Sequence, residues 1–256
     1  MIPVTSKPTR ALILAMMALV IISLLFAYWH YRGENQSVDP RIVPARKLYE
    51  NYNSLTVKND FEGVLRLLDT IDYIYRKYPH YHTSFETGVL ENNRAAVYLT
   101  LVISYDSIST HYHHLGKDSL LNLGESAVRN SIYIYESWLG TYSGLEELQI
   151  REQIRKNFVM GLDEGCPEKI DLYLDNRIEE IQTAIEETPR RLSVSYTNLG
   201  IIHRYRMDYQ SAAACYQKAL DLWQENLTAE NNLNLLLGRP LKKRNFIEKM
   251  FPKPKD

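Results

Sequence analysis

The longest uncharged stretch of the sequence constrains this chain more than any other feature. Residues 11–29, ALILAMMALVIISLLFAYW, contain no Asp, Glu, Lys or Arg. At about 1.5 Å per residue, a helix of this length measures about 28 Å, close to the bilayer core of about 30 Å. Basic and aromatic residues flank the stretch: Lys7, Arg10, Tyr28, Trp29, Tyr31 and Arg32. We therefore predict that residues 1–32 form a short cytoplasmic tail and one transmembrane anchor.

A cleaved signal peptide is the alternative interpretation of this segment. Its apolar region is usually about 7–15 residues long and ends at a small-x-small cleavage site, whereas this stretch ends in aromatic residues. The count of basic residues on the two sides does not decide the orientation. Because a short basic tail is hard to translocate, we predict that the large domain lies outside the cytoplasm, in the periplasm if the chain is bacterial.

The distribution of charge argues against a nucleic acid partner. The formal net charge of the whole chain is −1, with +3 on residues 1–32 and +5 on the basic tail 239–256, which leaves −9 on residues 33–238. Phosphate binding requires a positive surface on the folded part of a protein. The basic tail itself has three possible states: bound to an anionic membrane, docked on the acidic body, or solvated.

Beyond a Pro-marked linker over residues 33–44, the hydrophobic pattern has helical spacing. Val64, Leu67, Leu68 and Ile71, for example, recur three and four positions apart. The low content of glycine and proline, 11 and 10 in 256 residues, also favours helix. We predict an all-α domain over 45–238, with helices at 42–57, 60–77, 85–113, 118–139, 145–160, 168–186, 190–206, 208–225 and 228–237. Pro189 is among the predicted breaks, and Asp118, Asp208 and Thr228 are predicted N-caps.

The most specific motif lies in residues 193–226. Large and small side chains alternate there at Tyr196, Leu199, Gly200, Ala212, Tyr216 and Ala219. This pattern resembles the tetratricopeptide repeat (TPR), a 34-residue pair of helices. The resemblance implies that Gly200 and Ala212 let the two helices approach, that Tyr216 fills the gap beside them, and that Ala219 admits the next helix.

Two further segments resemble parts of the same repeat. Residues 88–139 carry Ala95 and Tyr98 in a first helix and Ala127, Ile134 and Trp138 in a second, with an unusually long join. Residues 228–237 look like the first helix of another repeat, shortened to a capping helix. The resemblance implies a right-handed helical solenoid behind the single transmembrane helix.

The same resemblance indicates a binding groove. The sixth position of the first helix lines the concave face in this family, and Asn93, Asn198 and Asn232 occupy it here. In peptide-binding relatives this asparagine bonds the ligand backbone, since an amide both donates and accepts. Neighbouring groove residues would be Val194, Ile201, Arg204 and Tyr205. The alternative is that these asparagines serve only solvation or helix capping.

We find no sequence motif for catalysis. G-x-S-x-G, a phosphate-binding glycine loop and H-E-x-x-H are all absent, so we predict no catalytic residue, no cofactor and no metal site. Five of the seven histidines lie in two clusters, His80 with His82 and His111 with His113 and His114. The predicted helix 85–113 would hold the clusters about 40 Å apart. Two alternative functions remain: a metal-handling accessory protein that uses the histidine clusters, and a helical enzyme without a known motif.

These observations together predict a membrane-anchored scaffold or adaptor. Its partners would be proteins, themselves associated with the membrane, and its role the assembly or organisation of a membrane or envelope complex. A homo-oligomer is compatible with the same pattern.

Overall fold

The computed structural model describes residues 37–105, 115–162 and 169–243, together with Met16. Over these residues the chain is all-α, which confirms the all-α part of the prediction. The α-helices are α1 (Val43–Tyr49), α2 (Tyr52–Val57), α3 (Phe61–Arg76), α4 (Phe85–Ile103), α5 (Lys117–Tyr142), α6 (Glu147–Val159), α7 (Ile170–Tyr205), α8 (Tyr209–Leu222) and α9 (Leu227–Leu236). A 3-10 turn over Pro79–Tyr81 precedes α4.

The predicted anchor over residues 11–29 lies outside the described residues, apart from Met16. Among the helices that are described, none is both long and apolar enough to span a bilayer.

The predicted break at Pro189 is wrong. α7 runs without interruption over 36 residues with Pro189 inside it. Proline has no N–H to donate to the carbonyl four residues earlier, which usually ends a helix. Here buried side chains on both sides of Pro189 hold the helix in place, namely Ala184, Thr188 and Leu192. Tertiary packing therefore outweighs the local cost of proline.

The three predicted N-caps have different outcomes. Asp118 is not the N-cap of α5, because that helix begins after Gly116 and Asp118 lies in its first turn. The Asp208 carboxylate accepts a hydrogen bond from the Ser211 N–H at 3.1 Å, so this predicted N-cap is confirmed. The N-cap of α9 is Asn226 instead of Thr228, because the Asn226 side chain accepts from the Ala229 N–H at 3.0 Å.

Antiparallel helix pairs organise the domain. α4 packs against α5 with Gly88 directly beneath the Tyr135 ring, and the end of α7 packs against α8 with Gly200 beneath the Tyr216 ring. α5 also runs antiparallel to α7, since Ser131 contacts Ser195 while Asn122, earlier in α5, binds Arg206 at the far end of α7. One hydrophobic core extends from Ile42 to Ile202.

Candidate binding surface and buried ionic cluster

The groove residues that were predicted on α7 lie on one helix face. Val194, Asn198, Ile201 and Tyr205 follow each other at spacings of four, three and four. Val194, Asn198 and Ile201 are half-buried, whereas Tyr205 is 38% exposed. The Arg204 guanidinium lies 5.7 Å from the centre of the Tyr205 ring. This end of α7 therefore presents an aromatic ring and a cation beside the asparagine.

The three predicted asparagines, Asn93, Asn198 and Asn232, come from α4, α7 and α9, and we call them the asparagine row. Each forms hydrogen bonds within the chain. Asn93 donates to the Tyr49 hydroxyl at 2.7 Å, and Asn198 donates to the Asn92 carbonyl oxygen at 3.0 Å. These bonds tie α4 to α1 and to α7.

Asn232 uses both ends of its amide within the chain. Its oxygen accepts from Arg204 at 2.9 Å, and its nitrogen donates to the Thr228 carbonyl at 2.8 Å. Asn232 therefore links α9 to α7, and its amide keeps a second N–H and a second oxygen lone pair for a ligand.

Five of the six predicted repeat-packing residues are buried, namely Leu199, Gly200, Ala212, Tyr216 and Ala219. Ala212, Tyr216 and Ala219 are 0% exposed and Leu199 is 5% exposed. A Cβ placed on Gly200 would lie 2.5 Å from the Tyr216 ring, so only glycine fits there. Tyr196 is half-buried, and its hydroxyl donates to Glu136 of α5 at 2.7 Å.

The structure places most of the predicted linker on the domain. We call residues 37–42 the strap, and within it Ser37, Asp39 and Ile42 are buried. The Asp39 carboxylate accepts from the Arg41 guanidinium, with a shortest distance of 2.6 Å, and from the Tyr81 hydroxyl at 3.0 Å. Arg41 also donates to the Phe158 carbonyl at 2.8 Å, at the end of α6.

A second ionic cluster lies deeper, around Arg177 of α7. The Arg177 side chain is only 2% exposed and binds Glu86 of α4 and Glu180 one turn along α7. Its Nε donates to the His80 imidazole at 2.9 Å, and its guanidinium stacks on the Tyr81 ring with 4.6 Å between the centres. Glu180 in turn pairs with Arg46 of α1. We call Arg177, Glu86, Glu180 and His80 the Arg177 cluster.

The electrostatics of this cluster keep its groups in defined protonation states. Burial alone would raise the pKa of Glu86, but the Arg177 guanidinium lowers that pKa below its usual value. Burial lowers the pKa of His80 well below its usual value, and the nearby cations Arg177 and Arg41 lower it further. Glu86 is therefore charged and His80 neutral near pH 7.

A small cavity of about 100 Å³ opens beside the cluster. The cavity is lined by His80, Thr83, Ser84, Ser137, Trp138, Thr141, Tyr142 and Arg177. Active sites often contain a histidine whose pKa is shifted and whose side chain lines a cavity. Here, however, the His80 Nε2 lone pair already accepts the Arg177 N–H, so the imidazole is not placed to act as a general base.

The histidine clusters do not assemble a metal site in the described part of the chain. No group of three or more His, Cys, Asp or Glu with suitable geometry occurs among those residues. His80 binds the cation Arg177, and His82 contacts the Arg76 carbonyl. His111, His113 and His114 lie outside the described residues.

Sequence reasoning missed the Arg177 cluster and the strap. One pattern pointed to the cluster: Tyr173, Leu174, Ile178 and Ile181 form an apolar stripe on α7, and Arg177 falls within it at helical spacing. A charged residue in such a stripe is buried and needs a partner. The partner Glu86 is 91 positions away, and no local pattern identifies it.

Comparisons with protein-family models, with curated proteins and with solved structures match this chain to none of them.

Proposed function

We propose that this chain is a membrane-anchored, TPR-like scaffold that binds protein partners through a groove formed by α4, the end of α7 and α9. The membrane anchor is residues 11–29, and the domain that follows lies outside the cytoplasm. The chain carries no catalytic chemistry of its own in this proposal. It brings partner proteins together at the membrane surface.

The observation that carries the proposal is the arrangement of the asparagine row. Asn198 of α7 is tied to α4 through Asn92, and Arg204 of α7 is tied to α9 through Asn232. The three helices that correspond to first helices of the repeat thus neighbour each other in order. The close approach of Gly200 and Tyr216 between α7 and α8 supports the same resemblance.

Binding would use the exposed part of this surface. Tyr205 supplies a rigid aromatic contact and Arg204 a cation beside it, and residues of both types dominate the binding energy of protein interfaces. The asparagines supply adaptable hydrogen bonds to an extended peptide backbone. Anchoring in the membrane raises the local concentration of membrane-associated partners, which compensates for a modest intrinsic affinity.

The test is crosslinking in intact membranes, followed by affinity purification of the full chain through a tag at Asp256. We expect a discrete membrane protein to be recovered with the wild-type chain. Tyr205→Ala should reduce that recovery about tenfold, which corresponds to about 1.4 kcal/mol of binding free energy. Access of an added protease to the tag, measured in the same samples, reports the side of the membrane.

Tyr133→Ala is the matched control. Tyr133 is 67% exposed and lies on α5, which contributes no member of the asparagine row. Its replacement should leave recovery unchanged, and circular dichroism should show the same helix content in both variants. Equal recovery with Tyr205→Ala and Tyr133→Ala would count against the groove, and repeated recovery of the chain without any partner would count against the scaffold class.

A further inference from the structure

The connection between the proposed anchor and the folded domain is short. Only residues 33–36 separate the end of the anchor region at Arg32 from the buried Ser37. Five Cα-to-Cα steps join Arg32 to Ser37, and at about 3.3–3.6 Å per residue they span at most about 18 Å. The strap must therefore lie close to the point at which the chain leaves the bilayer.

The strap is also held firmly on the domain. Asp39 is 4% exposed and Ile42 is 0% exposed. The Arg41 guanidinium binds Asp39, donates to the carbonyls of Phe158 and Met160 at 2.8 Å and 2.6 Å, and stacks against the Phe158 ring. A buried charge pair of this kind is costly to break, because either partner alone would stay buried and unpaired. The strap is thus a fixed part of the folded domain and does not act as a flexible linker.

Tyr81 links the strap to α7, the longest of the described helices. The Tyr81 hydroxyl donates to Asp39, and the Tyr81 ring stacks on Arg177 of α7. From Arg177, α7 continues without a break to Tyr205. At about 1.5 Å per residue, Asn198 lies about 32 Å and Arg204 about 40 Å further along the helix.

The side chains around the strap suit the interface of a bilayer. Met160, whose carbonyl binds Arg41, is 51% exposed. Lys77 directly precedes Tyr78, whose ring centre lies 5.1 Å from the Arg41 guanidinium of the strap. The Lys77 ammonium lies 4.5 Å from the centre of the Tyr73 ring, and Tyr73 is 64% exposed. Lysine and tyrosine side chains combine an apolar body with a polar end, which is the composition that favours the headgroup layer. We call Tyr73, Lys77 and Met160 the strap face.

We propose that the strap and α7 form a rigid strut, which places the strap face on the lipid headgroups and holds the part of the candidate binding surface around Arg204 and Asn232 tens of ångströms away from the bilayer. The inference rests on the membrane anchor of the proposed function. The strut would set the height above the membrane at which a partner is captured.

The test measures the depth of two matched probes on the full chain in liposomes. In a background of Cys166→Ser and Cys215→Ala, Met160→Cys on the strap face and Leu235→Cys on α9 are each labelled with a fluorophore. Met160 and Leu235 have similar exposure, 51% and 56%. With a nitroxide quencher on the lipid headgroups, we expect several-fold stronger quenching at position 160 than at position 235.

An insertion of about ten Gly and Ser residues between Gln36 and Ser37 provides the control, since a flexible linker uncouples the domain from the anchor. The difference in quenching between the two positions should then disappear. Arg41→Ala, which releases the strap, should reduce the difference, and the insertion keeps the test valid if that variant does not fold.

Two other outcomes would refute the strut and the membrane anchor separately. Equal quenching at both positions in the unmodified chain, or stronger quenching at 235, would refute the strut while leaving the anchor intact. Absence of quenching at both positions, with the chain failing to float with the liposomes, would refute the anchor and hence the proposed function itself.

Discussion

The guanidinium of Arg177 binds the carboxylate of Glu86 through two hydrogen bonds, from Nη1 to Oε1 at 2.5 Å and from Nη2 to Oε2 at 3.2 Å. The two side chains are 2% and 13% exposed. Neither charge can be solvated where it lies, so each depends on the other for stabilisation. This pair joins the first half of α7 to the start of α4, next to the strap.

Replacing Arg177 alone should be strongly destabilising. We expect Arg177→Met to lower the free energy of unfolding by about 3–5 kcal/mol, because Glu86 is left buried without a counter-charge. The double variant Arg177→Met with Glu86→Leu should recover much of this loss, since it removes both charges. Denaturant unfolding of the detergent-solubilised chain, followed by circular dichroism, measures the three values.

The control for this prediction is an exposed pair. Arg66 and Glu62 of α3 are 67% and 48% exposed, so Arg66→Ala should change the stability by less than about 0.5 kcal/mol. A loss from Arg177→Met no larger than that from Arg66→Ala would contradict the importance of the buried pair.

His80 should make the stability of the domain depend on pH. Its pKa in the folded state is lowered by burial and by Arg177 and Arg41, whereas the unfolded value is about 6.5. Below about pH 6.5 the unfolded chain binds a proton that the folded chain does not, so stability falls as the pH falls. Above that pH the effect is absent.

The variant that tests this is His80→Gln, because glutamine can still accept the Arg177 N–H but does not titrate. Between pH 7 and pH 5.5, the wild-type chain should lose about 1 kcal/mol more stability than the variant. Glu86, whose folded pKa is lowered, affects stability only at more acidic pH, below its usual value of 4.5. If the stabilities of the two proteins changed equally between pH 7 and pH 5.5, the prediction would be refuted.

Gly200 should tolerate no side chain. We expect Gly200→Ala to destabilise the domain by about 1–3 kcal/mol, because its Cβ would overlap the Tyr216 ring, which is itself fully buried. Gly140 offers a matched comparison within α5, since nothing lies within 4 Å of a Cβ built there. Gly140→Ala should instead stabilise the chain by up to about 1 kcal/mol. Thermal or chemical denaturation of both variants should give opposite signs, and the same sign for both would reject the packing argument.

We expect that replacing Asn226 even by the similar residue aspartate destabilises the domain. Its amide nitrogen donates to the hydroxyls of Ser193 at 2.8 Å and Thr197 at 2.9 Å. Both hydroxyls already donate their own protons to carbonyls, of Ala219 and of Ser193 respectively. A carboxylate at this buried position would face two acceptors, so Asn226→Asp should cost about 1–3 kcal/mol although aspartate is a good N-cap.

Asp208→Asn is the corresponding exchange at an exposed N-cap. Asparagine can still accept the Ser211 N–H there, so chemical denaturation should detect little change. If Asn226→Asp were tolerated as well as Asp208→Asn, the proposed donor role of the Asn226 amide would be wrong.

Local patterns were sufficient to predict most of the helices. The predicted helix 60–77 corresponds to α3, because its apolar spacing and the Asp60 cap are both contained in adjacent residues. The same holds for α8, whose cap Asp208 precedes it directly. Pro189 marks the limit of local rules: its cost is real, but burial of its neighbours Thr188 and Leu192 decides the outcome.

The candidate binding surface could be predicted in part. Helical spacing places Val194, Asn198 and Tyr205 on one face of α7, and the family resemblance supplied their possible role. The internal bonds of the asparagine row could not be predicted, because Asn93 reaches Tyr49 and Asn198 reaches Asn92 across helix boundaries. A bond between side chains far apart in sequence leaves no periodic trace.

The sequence by itself determined most of the helical segments and their apolar faces, because both depend on spacings of three and four residues within each helix. It also placed a charge, Arg177, in an apolar stripe. Only the tertiary structure decided how that charge is satisfied, since Glu86 and His80 reach it from separate elements. Likewise, the sequence predicts that residues 37–42 belong to a linker. Only their contacts with Tyr81 and the end of α6 make them part of the folded domain.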